Sequence, residues 1–216
     1  MSSRTIFITG GTGYMGRRLI PRLVERGHRV RALARQGSEA RLPRGCEAVI
    51  GDALDAASFT ARVAPADTFV QLVGTPHPSP AKAAQFRAVD LVSVRASVDA
   101  AVAARVAHFV YVSVAQPAPM MKDYIAVRAE GEAHLRASGL PASILRPWYV
   151  LGPGHWWPYL LVPLYWLGER LPATRTNAQR LGLVTLPQML AALIAAIEQP
   201  PTGVRVWEVP EIRRPR

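Results

Sequence analysis

A short apolar run, Thr5-Ile6-Phe7-Ile8-Thr9, opens directly into Gly10-Gly11-Thr12-Gly13-Tyr14-Met15-Gly16, and a segment of helical periodicity follows. A strand that feeds a helix through so many glycines constrains the fold more than any other feature of the chain. Glycines at 10, 13 and 16 give the spacing G-x-x-G-x-x-G. The first permits a tight turn, the second lets backbone amides approach an anion, and the third lets the helix close onto the sheet. The N-terminus of that helix then offers unpaired N–H groups and the positive end of its dipole. The anion that suits this arrangement is the diphosphate of a dinucleotide, with Gly10, Thr12, Gly13, Tyr14, Met15 and Gly16 as its expected cradle.

The rest of the chain alternates strand and helix patterns. Leu19, Ile20, Leu23 and Val24 recur at helical spacing up to a stop at Gly27, with Pro21 inside the pattern expected to bend the helix. Strands are expected over 28–34, 47–50, 68–73, 108–112, 142–145 and 204–209. Helices are expected over 81–104, 123–138 and 185–198, with a shorter one running from an Asp55 cap to Val63. Thr185-Leu186-Pro187-Gln188 carries the T-x-x-Q spacing of a capping box. Such alternation predicts an α/β fold with a doubly wound parallel sheet. One domain is expected over 1–216, with a core over 4–150 and a lobe over 151–216. Aromatic residues crowd that lobe and its approach: Trp148, Tyr149, Trp156, Trp157, Tyr159, Tyr165 and Trp166. Its apolar stretch is broken by Pro158 and Pro163 and is shorter than the roughly 20 residues of a membrane span. The segment suits an apolar substrate pocket, completion of the core, or a surface for a protein partner or shallow membrane contact.

The net charge of +11 raises nucleic acid or an anionic membrane as partners. However, 24 of the 26 basic residues are arginine, and ten of these lie between Arg4 and Arg44, around the glycine turn. A phosphate-rich small molecule accounts for that asymmetry. No helix-turn-helix, zinc-ligand spacing or aromatic nucleic-acid platform accompanies it, so neither nucleic acid nor a metal is expected. Cys46 has no second cysteine to pair with, and the apolar start lacks a secretory pattern, which together suit a cytoplasmic location. His77, set among Pro76, Pro78 and Pro80, is expected to be a bystander.

Proteins that bind NAD through such a turn usually carry an acid about 20 residues further on, for the adenosine ribose. Here that place holds Arg35, with Arg31 nearby and no acid before Glu39. A guanidinium pairs with a 2′-phosphate, and one charge-assisted contact of about 1.5–3 kcal/mol favours NADP(H) over NAD(H) by roughly ten- to a hundredfold. Asp52 and Ala53, after the third strand, are expected at the adenine, and Val73 and Gly74 at the middle of the cofactor. Tyr124 and Arg128 stand four apart on one helix face, with Ser113 just past the preceding strand. A phenol beside a cation can relay a proton, and a serine hydroxyl can hold a carbonyl. Equally, Ser113 can cap a strand end while Tyr124 and Arg128 form an ordinary helix face.

The glycine turn, Ala32-Leu33-Ala34-Arg35, Gly51-Asp52, Tyr111-Val112-Ser113, Tyr124-x-x-x-Arg128, Glu130-Gly131-Glu132 and Leu145-Arg146-Pro147 together resemble the short-chain dehydrogenase/reductase superfamily. The likeness is to its atypical members, similar to NmrA and the nucleotide-sugar epimerases, and it covers residues 5 to about 154. It implies a Rossmann-type fold with a small C-terminal aromatic-rich lobe. It also implies a Y-x-x-x-K pair whose tyrosine is the acid/base and whose lysine lowers the tyrosine pKa and hydrogen-bonds the nicotinamide ribose. This sequence has arginine in place of that lysine, a planar and differently directed cation. The expected function is therefore an NADP(H)-binding oxidoreductase acting on a small carbonyl or alcohol compound. A non-catalytic NADP(H) sensor or assembly factor is the alternative, and a nucleotide-sugar epimerase or dehydratase the third.

Overall fold

The structure is a computed structural model that describes residues 3–154, 170 and 179–215. The tryptophans at 156, 157 and 166, Tyr159 and Tyr165 lie outside the described residues, and so does most of the expected aromatic lobe.

The apolar run becomes β1 (Thr5–Thr9), which lies at the interior of a seven-stranded, all-parallel sheet. Its neighbours in sequence are β2 (Arg29–Ala34) and β3 (Cys46–Ile50) on one side, with β4 (Thr68–Gln71), β5 (His108–Val112) and β6 (Ala142–Leu145) on the other. Two short strands, β7 (Tyr149–Leu151) and β8 (Leu183–Thr185), pair in parallel as a separate ribbon, and β9 (Val204–Trp207) completes the main sheet in the order β3-β2-β1-β4-β5-β6-β9. The order in which successive strands are added therefore reverses between β1 and β4. That reversal opens a crevice beyond their carboxyl ends, the place where such sheets take ligands.

Side chains alternate across the strands and build two cores. Ile6 and Ile8 of β1 pack with Leu19 and Leu23 of α1 (Gly16–Glu25) on one face, together with an apolar C-terminal helix described below. On the other face Phe7, Phe69 and Phe109 form a row, with centroids 5.2 Å apart at each step, beneath the helices that follow β4 and β5.

The helical segment after β4 is not the single helix expected over 81–104. It begins as a 3-10 turn (Pro80–Lys82) and one α-turn, α2 (Ala83–Gln85). It then widens into a π-helical stretch (Phe86–Leu91) before α3 (Val92–Ala103). The wider turn buries Phe86, Leu91 and a charged residue, Asp90; such π turns are rare and concentrate at functional sites. Asp55 does cap, accepting from Ala57 N at 3.1 Å, but the expected helix is two 3-10 turns (Ala56–Ser58 and Thr60–Arg62). Phe59 interrupts them to bury its ring beside Phe7.

After β5 comes α4 (Lys122–Ala137), which carries Tyr124 and Arg128. The capping box forms as expected: Thr185 Oγ1 accepts from Gln188 N, and Gln188 Oε1 accepts from Thr185 N, opening α5 (Leu186–Glu198), the apolar helix of the first core. The last strand stops at Trp207 rather than 209, because Glu208 and Glu211 form a second capping box and start α6 (Val209–Arg213). Among the described residues no helix is long and apolar enough to cross a membrane.

Candidate active site

The glycine turn folds tightly, with Gly13 N donating to Gly10 O at 3.0 Å. Gly10 has φ +79°, and a methyl there would sit 2.8 Å from the Leu72 carbonyl carbon and 2.9 Å from Val73 N. Only a residue without a side chain lets the turn lie against the end of β4. A methyl at Gly16 would strike the Gly10 carbonyl and the Gly11 backbone, so α1 closes onto the turn as expected. No side chain caps α1, and its first turn holds no acid. Among the described residues no carboxylate thus caps its leading amides, a cradle that fits a diphosphate.

Beside this turn lies an open cleft of about 350 Å³. Gly10, Thr12, Gly13, Arg35, Asp52, Ala53, Val73 and Gly74 all line it, eight positions spread over four loops. Tyr14, Met15 and Gly16 do not line it: Tyr14 stacks under the Arg18 guanidinium, 4.2 Å from ring centroid to carbon, Met15 packs on the core, and Gly16 serves backbone contact. At the mouth, exposed Arg35 is joined by Ser38 and Arg41, carried there by a 3-10 turn after β2 (Glu39–Arg41). The sequence signal for Arg41 was the arginine surplus alone. Arg31 is drawn away, bonded to Glu47 Oε1 at 2.9 Å and to the carbonyls of Arg62 and Ala64 at 2.7 and 2.8 Å. Asp52 is exposed in the cleft, with Oδ1 accepting from Leu54 N at 3.0 Å.

Tyr124 is half-buried. Its ring tilts against Phe86 at 4.9 Å, and the Arg128 guanidinium carbon lies 5.1 Å from its centroid. It lines a small pocket of about 40 Å³ whose other walls are Pro78, Val114, Met121, Trp148 and Tyr149. Arg128 therefore meets Tyr124 as a cation over the ring face. Its N–H groups point elsewhere: Nη2 donates to Asp90 Oδ1 at 2.6 Å and Nη1 to Val112 O at 3.0 Å. Burial works against this charge, but the surrounding Tyr124, Tyr111 and Asp90 outweigh it and hold the guanidinium above its ordinary range. Burial also pushes the Tyr111 phenol up.

Ser113 is not brought to this pocket as a donor. Its hydroxyl gives its one proton to Glu132 Oε1 at 2.6 Å, so it has none to offer a carbonyl. Glu132 also accepts from Gln116, Arg136 and Arg146, the last through two N–H groups at 2.6 and 2.9 Å. These bonds join the Glu130-Gly131-Glu132 and Leu145-Arg146-Pro147 segments.

A doubly wound parallel sheet with a glycine-lined crevice where its strand order reverses defines a Rossmann-type dinucleotide-binding fold. Residues 10–153, more than half of the chain, match the model of a family described as NAD(P)H-binding, and the chain belongs to that family. It is 28% identical over 213 residues to the ceramide reductase of Caulobacter vibrioides, a match covering 97% of this chain and 65% of that protein. The chain thus spans about two thirds of that relative's length. The fold is shared with the Bordetella bronchiseptica enzyme WbmH in complex with NAD+ (TM-score 0.70, 20% identity, 96% of this chain and 76% of that one). It is shared too with a short-chain dehydrogenase/reductase superfamily protein of Agrobacterium tumefaciens with bound NAD (TM-score 0.68, 18% identity, 94% and 77%).

Proposed function

We propose that this protein is an NADP(H)-dependent oxidoreductase that reduces an apolar carbonyl compound, or oxidises the matching alcohol, with Tyr124 as its acid/base. The observation that carries the reading is the cleft itself. The cleft runs from the glycine turn to Arg35, Ser38 and Arg41, where an adenosine ribose would lie, and β2 ends there without a carboxylate. Two guanidinium groups favour a phosphorylated ribose over a plain one. Bound NADPH supplies the hydride. Tyr124 would give its proton to the carbonyl oxygen as the carbon is reduced, beside the apolar side chains of Pro78, Val114, Met121 and Trp148. The relative named ceramide reductase fits a long-chain substrate of this kind. The site suits a cytoplasmic enzyme, where NADPH is the reductant at hand.

A purified sample is expected to bind NADPH in calorimetry and to oxidise it with a long-chain ketone. Tyr124→Phe should lower kcat by about a hundredfold or more with NADPH affinity unchanged. Absence of NADPH binding sinks the reading, and full turnover by the phenylalanine variant sinks the role of Tyr124.

One pair of observations favours a second reading, a cofactor-binding protein without turnover: the Ser113 proton is committed to Glu132 and the Arg128 charge to Asp90. NADPH binding with no turnover on any carbonyl tested would establish it.

A further inference from the structure

The glycine turn rests against one wall of the cleft, formed by the end of β4 and the residues after it, Leu72, Val73 and Gly74. Behind this wall lies a buried polar cluster. Asp90, 0% exposed, is delivered by the π-helical stretch, and Arg128, 5% exposed, by α4. Asp90 Oδ2 accepts from both Thr75 N at 3.0 Å and Thr75 Oγ1 at 2.6 Å, while Oδ1 takes the Arg128 guanidinium. A methyl at Gly74 would collide with Arg128 Nη2 and approach Asp90 Oδ1 to 3.2 Å, so the wall peptide rests directly on the ion pair. Gln71 adds a further tie, with Nε2 donating to Val73 O at 3.2 Å and to Ser93 Oγ at 3.0 Å, whose own hydroxyl donates to Asp90 O.

A buried ion pair is seldom retained for stability, because desolvation of the two charges offsets most of their attraction. Here each partner has a second task. Asp90 fixes the peptide and hydroxyl of Thr75, and Arg128 anchors to the end of β5 through Val112 O. We propose that Asp90 and Arg128 are positioning residues that clamp the Gly74–Thr75 wall, and so hold the dinucleotide's middle and nicotinamide half. This rests on the cofactor reading above, and it gives the arginine a task that a lysine performs poorly. A planar guanidinium sends two rigid N–H arms to the aspartate and to the carbonyl, whereas an ammonium must serve both from one atom.

The test compares two probes titrated by calorimetry: NADPH, and 2′,5′-ADP, which carries the adenosine with its 2′- and 5′-phosphates but lacks the nicotinamide half. Thr75→Val removes one hydrogen bond to Asp90 and leaves both charges paired. It should weaken NADPH about three- to tenfold and change 2′,5′-ADP less than twofold. Arg128→Lys should weaken NADPH more than tenfold, again with 2′,5′-ADP unaltered. Thr75→Val answers the question even where Arg128→Lys does not fold. Parallel loss of both probes, or unchanged NADPH affinity in Thr75→Val, overturns the clamp alone. Wild-type protein that binds neither probe overturns the cofactor reading, and the clamp with it.

Discussion

Arg35 and Arg41 stand at the mouth of the same cleft but came to light differently. Arg35 is fixed by register, since β2 ends at Ala34 and the next side chain must emerge at the carboxyl edge of the sheet. Arg41 reaches the cleft only because a 3-10 turn folds the chain back. If both answer a 2′-phosphate, Arg35→Ala and Arg41→Ala should each weaken NADPH about tenfold or more while leaving NADH unchanged; equal losses for the two cofactors would refute the assignment. The three residues expected at the chemistry divide in the same way. Tyr124 lines a pocket, whereas Ser113 and Arg128 are taken by buried acids, Glu132 and Asp90. Neither acid could be assigned from sequence, because which carboxylate meets which cation depends on how α3 and α4 pack beside β5.

Among the elements, α5 was the most legible and its start can be tested simply. Thr185 and Gln188 satisfy each other's backbone N–H groups, so Thr185→Ala should cost about 1 kcal/mol in chemical denaturation without altering cofactor affinity. No loss would mean that the apolar packing of Met189, Leu193 and Ile197 alone sets the helix start. The segment over 81–104 was least legible. Its alanine-rich pattern reads as one helix, but an extra residue in the π-helical stretch turns Asp90 inward, and periodicity cannot register a buried charge whose partner lies 38 residues away. The β7 and β8 ribbon escaped notice for a plainer reason, since three residues per strand carry too few alternations to detect.

At the level of the whole molecule, acid should act through two buried groups. His108 is buried at the start of β5, and burial together with the nearby Arg4 cation lowers its pKa to about 4 from 6.5. Between these values the unfolded chain takes up a proton that the folded one refuses, so stability falls as pH drops from 6.5 to 4, by about 3 kcal/mol in all. Denaturation midpoints of His108→Gln should be flatter over that range; an equal slope would exclude the histidine. Burial opposes the Glu132 charge, but hydrogen bonds from Arg146, Ser113 and Arg136 outweigh it and hold its carboxyl below the ordinary value of 4.5. Its stabilisation is present above that pH and is lost as pH falls through the lowered pKa.

The sequence by itself determined the alternating elements, the parallel sheet and the place of the cleft, because strand and helix periodicities and the steric demands of glycine are local properties. Gly10, Thr12, Gly13, Arg35 and Asp52 were readable for that reason: each lies within a few residues of a strand end. Only the tertiary structure decided which charges neutralise one another, which hydroxyl keeps its proton, and which peptide Arg128 supports. Those outcomes follow from burial. A charge in water can ignore its neighbours, but one folded beneath a sheet must find its partner across the chain.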